Sequence, residues 1–237
     1  MSDPGLLERY QKTLFSLSCA VKKSGRDPSA VKLLAVSKLH PVEAMISLYA
    51  AGQRIFGENY VQEAIEKQAV FAAQGIDPNA CIHLIGHIQS KKASRVAGKF
   101  ALIHSLDSQK LALGLEKKLE TEGTVQPVLI EVNIGDEEQK SGVHARDLER
   151  FADYICQECP RLHIEGLMCL PPFFDNGDAA RPFFAKLRKL NEELRSHLGL
   201  PLPELSMGMS GDYCEAIEEG ATIVRIGTAI FGPRPVQ

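Results

Sequence analysis

The stretch VKLLAVSKLHPVEAMISLYAAG, Val31–Gly52, reads as one strand followed by one helix. Its first part is a short apolar run that ends on Ser37 and Lys38. A continuous apolar run of that length, bounded by turn signals, suits a strand covered on both faces. Its second part opens on Pro41 and closes on Gly52, the asymmetry expected of a helix.

The unit then recurs. Further strand-like runs lie at RIFGEN (54–59), IHLIGHIQ (82–89), FALIHSLD (100–107), PVLIEVNIG (127–135), IEGLMCL (164–170), PELSMGMS (203–210) and TIVRIGTAIFG (222–232). Helix-like segments fill the gaps, among them YVQEAIEKQAVFAAQG, SQKLALGLEKKLETEG and ARPFFAKLRKLNEELRSHLG. SKKASRVAGKF, between the third and fourth runs, is short and basic. An amphipathic pattern, Leu6, Leu7, Tyr10, Leu14, Leu17 and Val21, precedes the first strand, and KSGRDPSAV breaks it. Strict alternation of strand and helix with apolar strands predicts an α/β fold with a parallel sheet. Eight units favour a single (β/α)8 TIM barrel with an extra N-terminal helix; an open doubly wound sheet is the alternative. The expected organisation is one domain over residues 1–237, with no linker and no room after the eighth strand for a second domain.

Composition narrows the function classes. The formal charge of -3 argues against nucleic acid as a partner. No apolar run approaches the roughly 20 residues of a membrane helix. The start, MSDPGLLERYQ, lacks a basic and an apolar signal region, so a cytoplasmic protein is expected. Cys19, Cys81, Cys156, Cys159, Cys169 and Cys214 then read as reduced thiols. CQEC (156–159) has redox spacing but lies in a helical pattern without a second pair, and is read as helix packing. His83 and His87 would lie about 13 Å apart along a strand, too far to share a metal, so no metal site is expected. His87 and His104 could line the mouth or hydrogen-bond loop backbone. Asp136, Glu137 and Glu138 read as a solvated loop, and Glu63 as helical surface.

In such barrels the chemistry sits beyond the C-terminal ends of the strands. There the chain places Lys38, the GENYVQE segment, and the small and hydroxyl residues Gly208, Ser210, Gly211, Gly227 and Thr228. Glycines let backbone N–H groups approach an anion and hydroxyls donate to it, so the last two strand ends suit a phosphate. A lysine partly buried in the same mouth has its amine freed for attack on carbonyls. Amine and phosphate site together suggest a phosphorylated aldehyde or ketone held as a Schiff base. A sugar phosphate and pyridoxal phosphate (PLP) both fit.

LLAVSK, FGENYVQE, HLIGHIQS, LIHSLDS, IEVNIGDEEQKSGV, IEGLMCLPP, SMGMSGD and VRIGTAIFGPR occur in order over about residues 6–235. This closely resembles the YggS/PROSC family of pyridoxal phosphate homeostasis proteins. The resemblance implies a barrel similar to the N-terminal domain of alanine racemase, a fold type III PLP barrel, with PLP in its mouth on the AVSK lysine, Lys38. It implies phosphate contacts from Ser210, Gly227 and Thr228, Arg225 near the pyridine nitrogen, and Asn59 and Met168 close to the cofactor. An always-charged guanidinium should keep that nitrogen unprotonated and the ring a poor electron sink. Two departures stand out. Lys91 follows GHIQS where members often carry asparagine, and CLPPFFDNGD (169–178) looks local to this chain.

Three functions compete: a PLP carrier and regulator with little or no catalysis of its own, an amino-acid racemase, and a Schiff-base aldolase. A racemase of the related fold needs a second base, a tyrosine from an additional β-domain. This chain shows no such domain, and Tyr60 and Tyr213, near strand ends, are no obvious substitutes. The aldolase does not explain the ordered motifs. The expectation is therefore a monomeric carrier in vitamin B6 homeostasis that exchanges PLP with amines or with the lysines of PLP-dependent apoenzymes.

Overall fold

The structure, a computed structural model, describes residues 5–172, 174 and 176–233. Phe173 and Asp175 of the CLPPFFDNGD segment and Arg234 of the last motif lie outside the described residues.

The apolar runs form strands β1 Lys32–Val36, β2 Phe56–Glu58, β3 Ile82–Leu84, β4 Leu102–Leu106, β5 Gln126–Asn133, β6 Val143–His144, β7 Leu162–Cys169, β8 Glu204–Ser206 and β9 Ile223–Ile226. Eight of them pair in parallel around a closed ring, β1-β2-β3-β4-β5-β7-β8-β9, with β9 returning to β1. This is the TIM barrel that the alternation predicts. β6 was not foreseen; its two residues extend the sheet beside the end of β5, Val132↔Val143 and Asn133↔His144.

The helices are α1 Leu6–Lys23, α2 Val42–Ala50, α3 Val61–Ala73, α4 Pro78–Cys81, α5 Ala93–Val96, α6 Gln109–Glu122, α7 Leu148–Glu158, α8 Arg181–Leu198, α9 Tyr213–Glu218 and α10 Thr228–Phe231. In α7, Leu148, Phe151, Ala152 and Ile155 are buried, the i, i+3, i+4, i+7 stripe of a helix laid on a sheet. Each large side chain so covered contributes about 1.5–3 kcal/mol. TIVRIGTAIFG, read as one strand, divides instead: β9 ends at Ile226 and α10 begins at Thr228. IHLIGHIQ likewise stops being strand after Leu84.

Strand alternation sorts the residues onto two faces of the wall. Ala35, Phe56, Ile82, Ile103, Ile130, Leu167 and Val224 belong to the large apolar layer between wall and helices. Leu34, Val36, Leu102, Leu129, Met168 and Ile223 form a separate cluster inside the barrel. The interior phase is thereby fixed for each strand. α1 packs against α9 and α10, where Arg9 Nε donates to the Ile230 carbonyl (2.9 Å) and the Tyr213 hydroxyl to Ser16 Oγ (2.7 Å).

Candidate functional site

Lys38 comes off β1 in step with Leu34 and Val36, so it continues the interior phase of that strand at its C-terminal end. It is half-buried and sits in a turn. The turn is strained: Leu39 has φ +63°, a left-handed conformation that a leucine avoids. A charged cluster behind the barrel wall holds it. Lys67 Nζ, on α3, donates to the Ser37 carbonyl (2.8 Å), Glu58 Oε1 (2.7 Å) and Glu63 Oε1 (2.7 Å). Glu58 Oε1 also accepts from Ser37 Oγ (2.6 Å), and Glu63 Oε1 from the Leu39 N–H (2.7 Å). Glu63 is thus no solvated surface residue, as the helical pattern suggested; it binds the turn. Burial raises the Glu58 carboxyl even against the opposing pull of Lys67.

The end of β9 is brought beside the end of β1. A side chain on Gly227 would press on the Val36 carbonyl at 3.2 Å. His40, two residues after Lys38, stacks on Phe231 of α10 with ring centroids 5.0 Å apart. Gly227 and the exposed Thr228 therefore lie against the Lys38 turn. Ser210, also exposed, lies in the neighbouring loop between β8 and α9.

Asn59 follows β2 on the interior phase, and its Oδ1 is buried without a hydrogen-bond partner among the described residues. The next loop packs directly on it: a Cβ at Gly86 would meet the Asn59 carbonyl at 2.2 Å. Met168 is buried in the interior apolar cluster, in register with Glu131 across the β5–β7 pair. Arg225 is buried; Nη1 donates to Ser206 Oγ (2.7 Å) and Nη2 to the Cys169 carbonyl (2.9 Å). Both acceptors are neutral, and burial lowers the guanidinium's pKa. So Lys38, Asn59, Met168 and Arg225 share the barrel interior and its mouth, with Ser210, Gly227 and Thr228 on the adjoining loops.

One interior group escaped the sequence reading. Glu131 lies two residues beyond the interior Leu129 and is 6% exposed. Its carboxyl has no hydrogen-bond partner among the described residues. Burial, reinforced by Asp107 and opposed by Arg225, pushes it up to about 7. An acid inside the apolar string VLIEVN was the available signal.

The remaining candidates resolve differently. Among the described residues His104 bonds no loop backbone; its ring meets His83 and Ser206 inside the barrel. His87 Nδ1 pairs with Asp107 Oδ2 (3.0 Å) at the rim. Lys140 Nζ is engaged by Glu137 Oε1 (2.6 Å) and the Pro171 carbonyl (3.2 Å). Of the acidic loop, Asp136 meets His144 Nδ1 (3.0 Å). The CQEC thiols are free, and burial raises both, Cys159 to about 11. Among the described residues no cluster has the makings of a metal site.

The sequence profile described as alanine racemase, N-terminal domain, matches residues 20–235. A pyridoxal phosphate homeostasis protein of Aquifex aeolicus is 42% identical over 96% of this chain and 97% of its own. The chain belongs to the pyridoxal phosphate homeostasis proteins of the alanine racemase N-terminal-domain family. The Escherichia coli member is 38% identical over 92% of both chains. The structure of the family member PipY of Synechococcus elongatus with PLP bound superposes with a TM-score of 0.78 at 36% identity, covering 91% of this chain and 100% of that one. An alanine racemase of Corynebacterium glutamicum shares the fold, TM-score 0.69 at 18% identity, over 94% of this chain and 61% of that one. No helix among the described residues is long and apolar enough to cross a membrane.

Proposed function

We propose that this chain, as one PLP-binding domain, holds pyridoxal 5'-phosphate covalently on Lys38 and serves its homeostasis, as a carrier rather than a catalyst. The observation that carries this is the placement of Lys38. It leaves β1 on the interior phase, in a turn clamped by Lys67 and Glu63, against the Gly227–Thr228 loop. The residues fit the cofactor chemically. Among the described residues, Asn59 Oδ1 is a buried polar atom without a hydrogen-bond partner, and Arg225 is a buried cation whose bonds go to neutral acceptors. Such groups need a polar ligand.

On this reading Ser210, Thr228 and the Gly227 backbone hold the phosphate, Arg225 faces the pyridine nitrogen, and Asn59 and Met168 border the ring. Bound PLP supplies an aldehyde carbon on which amines can exchange. The chain presents the Lys38 amine, fixes its approach through the strained turn, and keeps a permanent cation opposite the ring nitrogen. An unprotonated ring withdraws few electrons, which favours exchange over carbanion chemistry. Tyr213, one tyrosine near a strand end, gives its hydroxyl to Ser16 on α1. That supports the carrier reading over the racemase. PLP-dependent apoenzymes are the proposed recipients, a monomer the proposed state and the cytoplasm the proposed compartment.

The test is an absorbance titration of the purified protein with PLP. A saturable visible band at one PLP per chain is expected, with no racemisation of amino acids under saturating PLP. A protein that leaves the PLP spectrum unchanged would refute the binding, and steady turnover would refute the carrier role.

A further inference from the structure

Behind Arg225 a chain of polar groups crosses the barrel interior. Arg225 on β9 reaches Ser206 Oγ on β8 (2.7 Å). Ser206 Oγ meets His104 Nδ1 on β4 (2.9 Å). His104 Nε2 meets His83 Nδ1 on β3 (2.9 Å). All four residues are buried.

The direction of each proton follows from the chemistry of the groups. A guanidinium only donates, so Ser206 Oγ accepts from Arg225. The hydroxyl has one proton. Among the described residues its other partner is His104 alone. Were His104 to donate from Nδ1, the Ser206 proton would be stranded on a residue that is 0% exposed. Ser206 therefore donates to His104 Nδ1, which makes His104 the Nε2–H tautomer. That N–H donates to His83 Nδ1, and His83 is the Nε2–H tautomer in turn. The one leftover donor then falls on His83, which keeps 7% exposure. Burial lowers both imidazoles, His83 to about 3, and the Arg225 charge opposes ionisation of His104 further.

We propose that Ser206, His104 and His83 are positioning residues for Arg225. They form a one-directional relay of neutral hydrogen bonds that fixes the plane of the guanidinium and so the seat of the PLP ring. The proposal rests on the reading that Arg225 faces the cofactor. The Cys169 carbonyl supplies the second fixed point (2.9 Å). With two acceptors on different strands, the planar fork can take one orientation only.

The first test is 15N NMR of the histidine-labelled protein without PLP. Both rings should be neutral Nε2–H tautomers that do not titrate between pH 5.5 and 8.5. A cationic ring, or a proton on His104 Nδ1, would overturn the relay without reference to any variant. The second test is PLP titration by absorbance. Ser206→Ala and His104→Leu should each weaken binding about tenfold, the size usual for groups that orient a ligand-holding side chain. They should also shift the absorption maximum of the bound cofactor. His104→Asn, which keeps an acceptor near the Nδ1 position, should fall between these and wild type. Variants that melt lower yet bind PLP with wild-type affinity and spectrum would show mere packing and refute the proposal. Failure of the wild type to bind PLP would instead refute the reading of the site and leave the tautomer result to stand by itself.

Discussion

The two faces of the barrel wall are made by the same eight strands and differ in kind. The outer face is apolar almost throughout and meets apolar helix stripes all round the ring. The inner face is mixed: a small apolar cluster around Leu34, Leu129 and Met168, and beside it Arg225, Ser206, His104, His83 and Glu131. The outer face decides which fold the chain adopts, because only a parallel sheet covered by helices buries it. The inner face holds the buried ionisable groups Arg225 and Glu131. One exception sits outside: the Lys67–Glu58–Glu63 cluster, at the very strand end where Lys38 leaves β1.

The largest expected effect breaks that exception. Lys67→Met leaves Glu58 buried at 0% side-chain exposure without its cation and frees the Ser37 carbonyl. A loss of about 3–5 kcal/mol in urea unfolding is expected. Lys67→Met with Glu58→Leu should recover most of it, since removing both charges is close to neutral. If the single variant loses no stability, the cluster does not hold the turn.

A second prediction sharpens the contrast from the inside. Folding raises the Glu131 pKa from its ordinary 4.5 to about 7, so the folded state binds this proton more tightly than the unfolded chain. The stabilisation is complete below about pH 4.5 and is lost as pH rises through 7. Glu131→Gln keeps the shape and removes the slope. It should be more stable than wild type at pH 8, by up to about 3 kcal/mol, with the gap closing toward pH 4.5. Melting curves over that range check it, and parallel pH profiles of the two proteins would contradict it.

The smallest effect lies at the periphery. Tyr213→Phe removes the hydrogen bond to Ser16 that ties α9 to α1 and should cost about 1 kcal/mol. It should leave PLP binding unchanged, which distinguishes this tyrosine from a base in the site.

The difference between the faces also explains what could be read in advance. The barrel was legible because each strand is an apolar run and each helix carries its own stripe. Lys38 and the hydroxyl loops could be singled out as candidates because they stand at strand ends, and Arg225 only through its place in the VRIGT motif. Glu131 could have been found from its phase relative to Leu129. Lys67 could not: in EAIEKQ it looks like a solvated lysine, and only tertiary packing against Glu58 buries it. The histidine relay was hidden for the same reason, since His83 and His104 meet across strands 21 residues apart. β6 was hidden because two residues carry no periodicity.

The most direct measurement of the central claim is borohydride reduction of the protein saturated with PLP, followed by peptide mass mapping. The account predicts one reduced adduct per chain, on the peptide containing Lys38, and its absence in Lys38→Ala. An adduct at the same stoichiometry in Lys38→Ala, on Lys91, Lys140 or any other lysine, would contradict it.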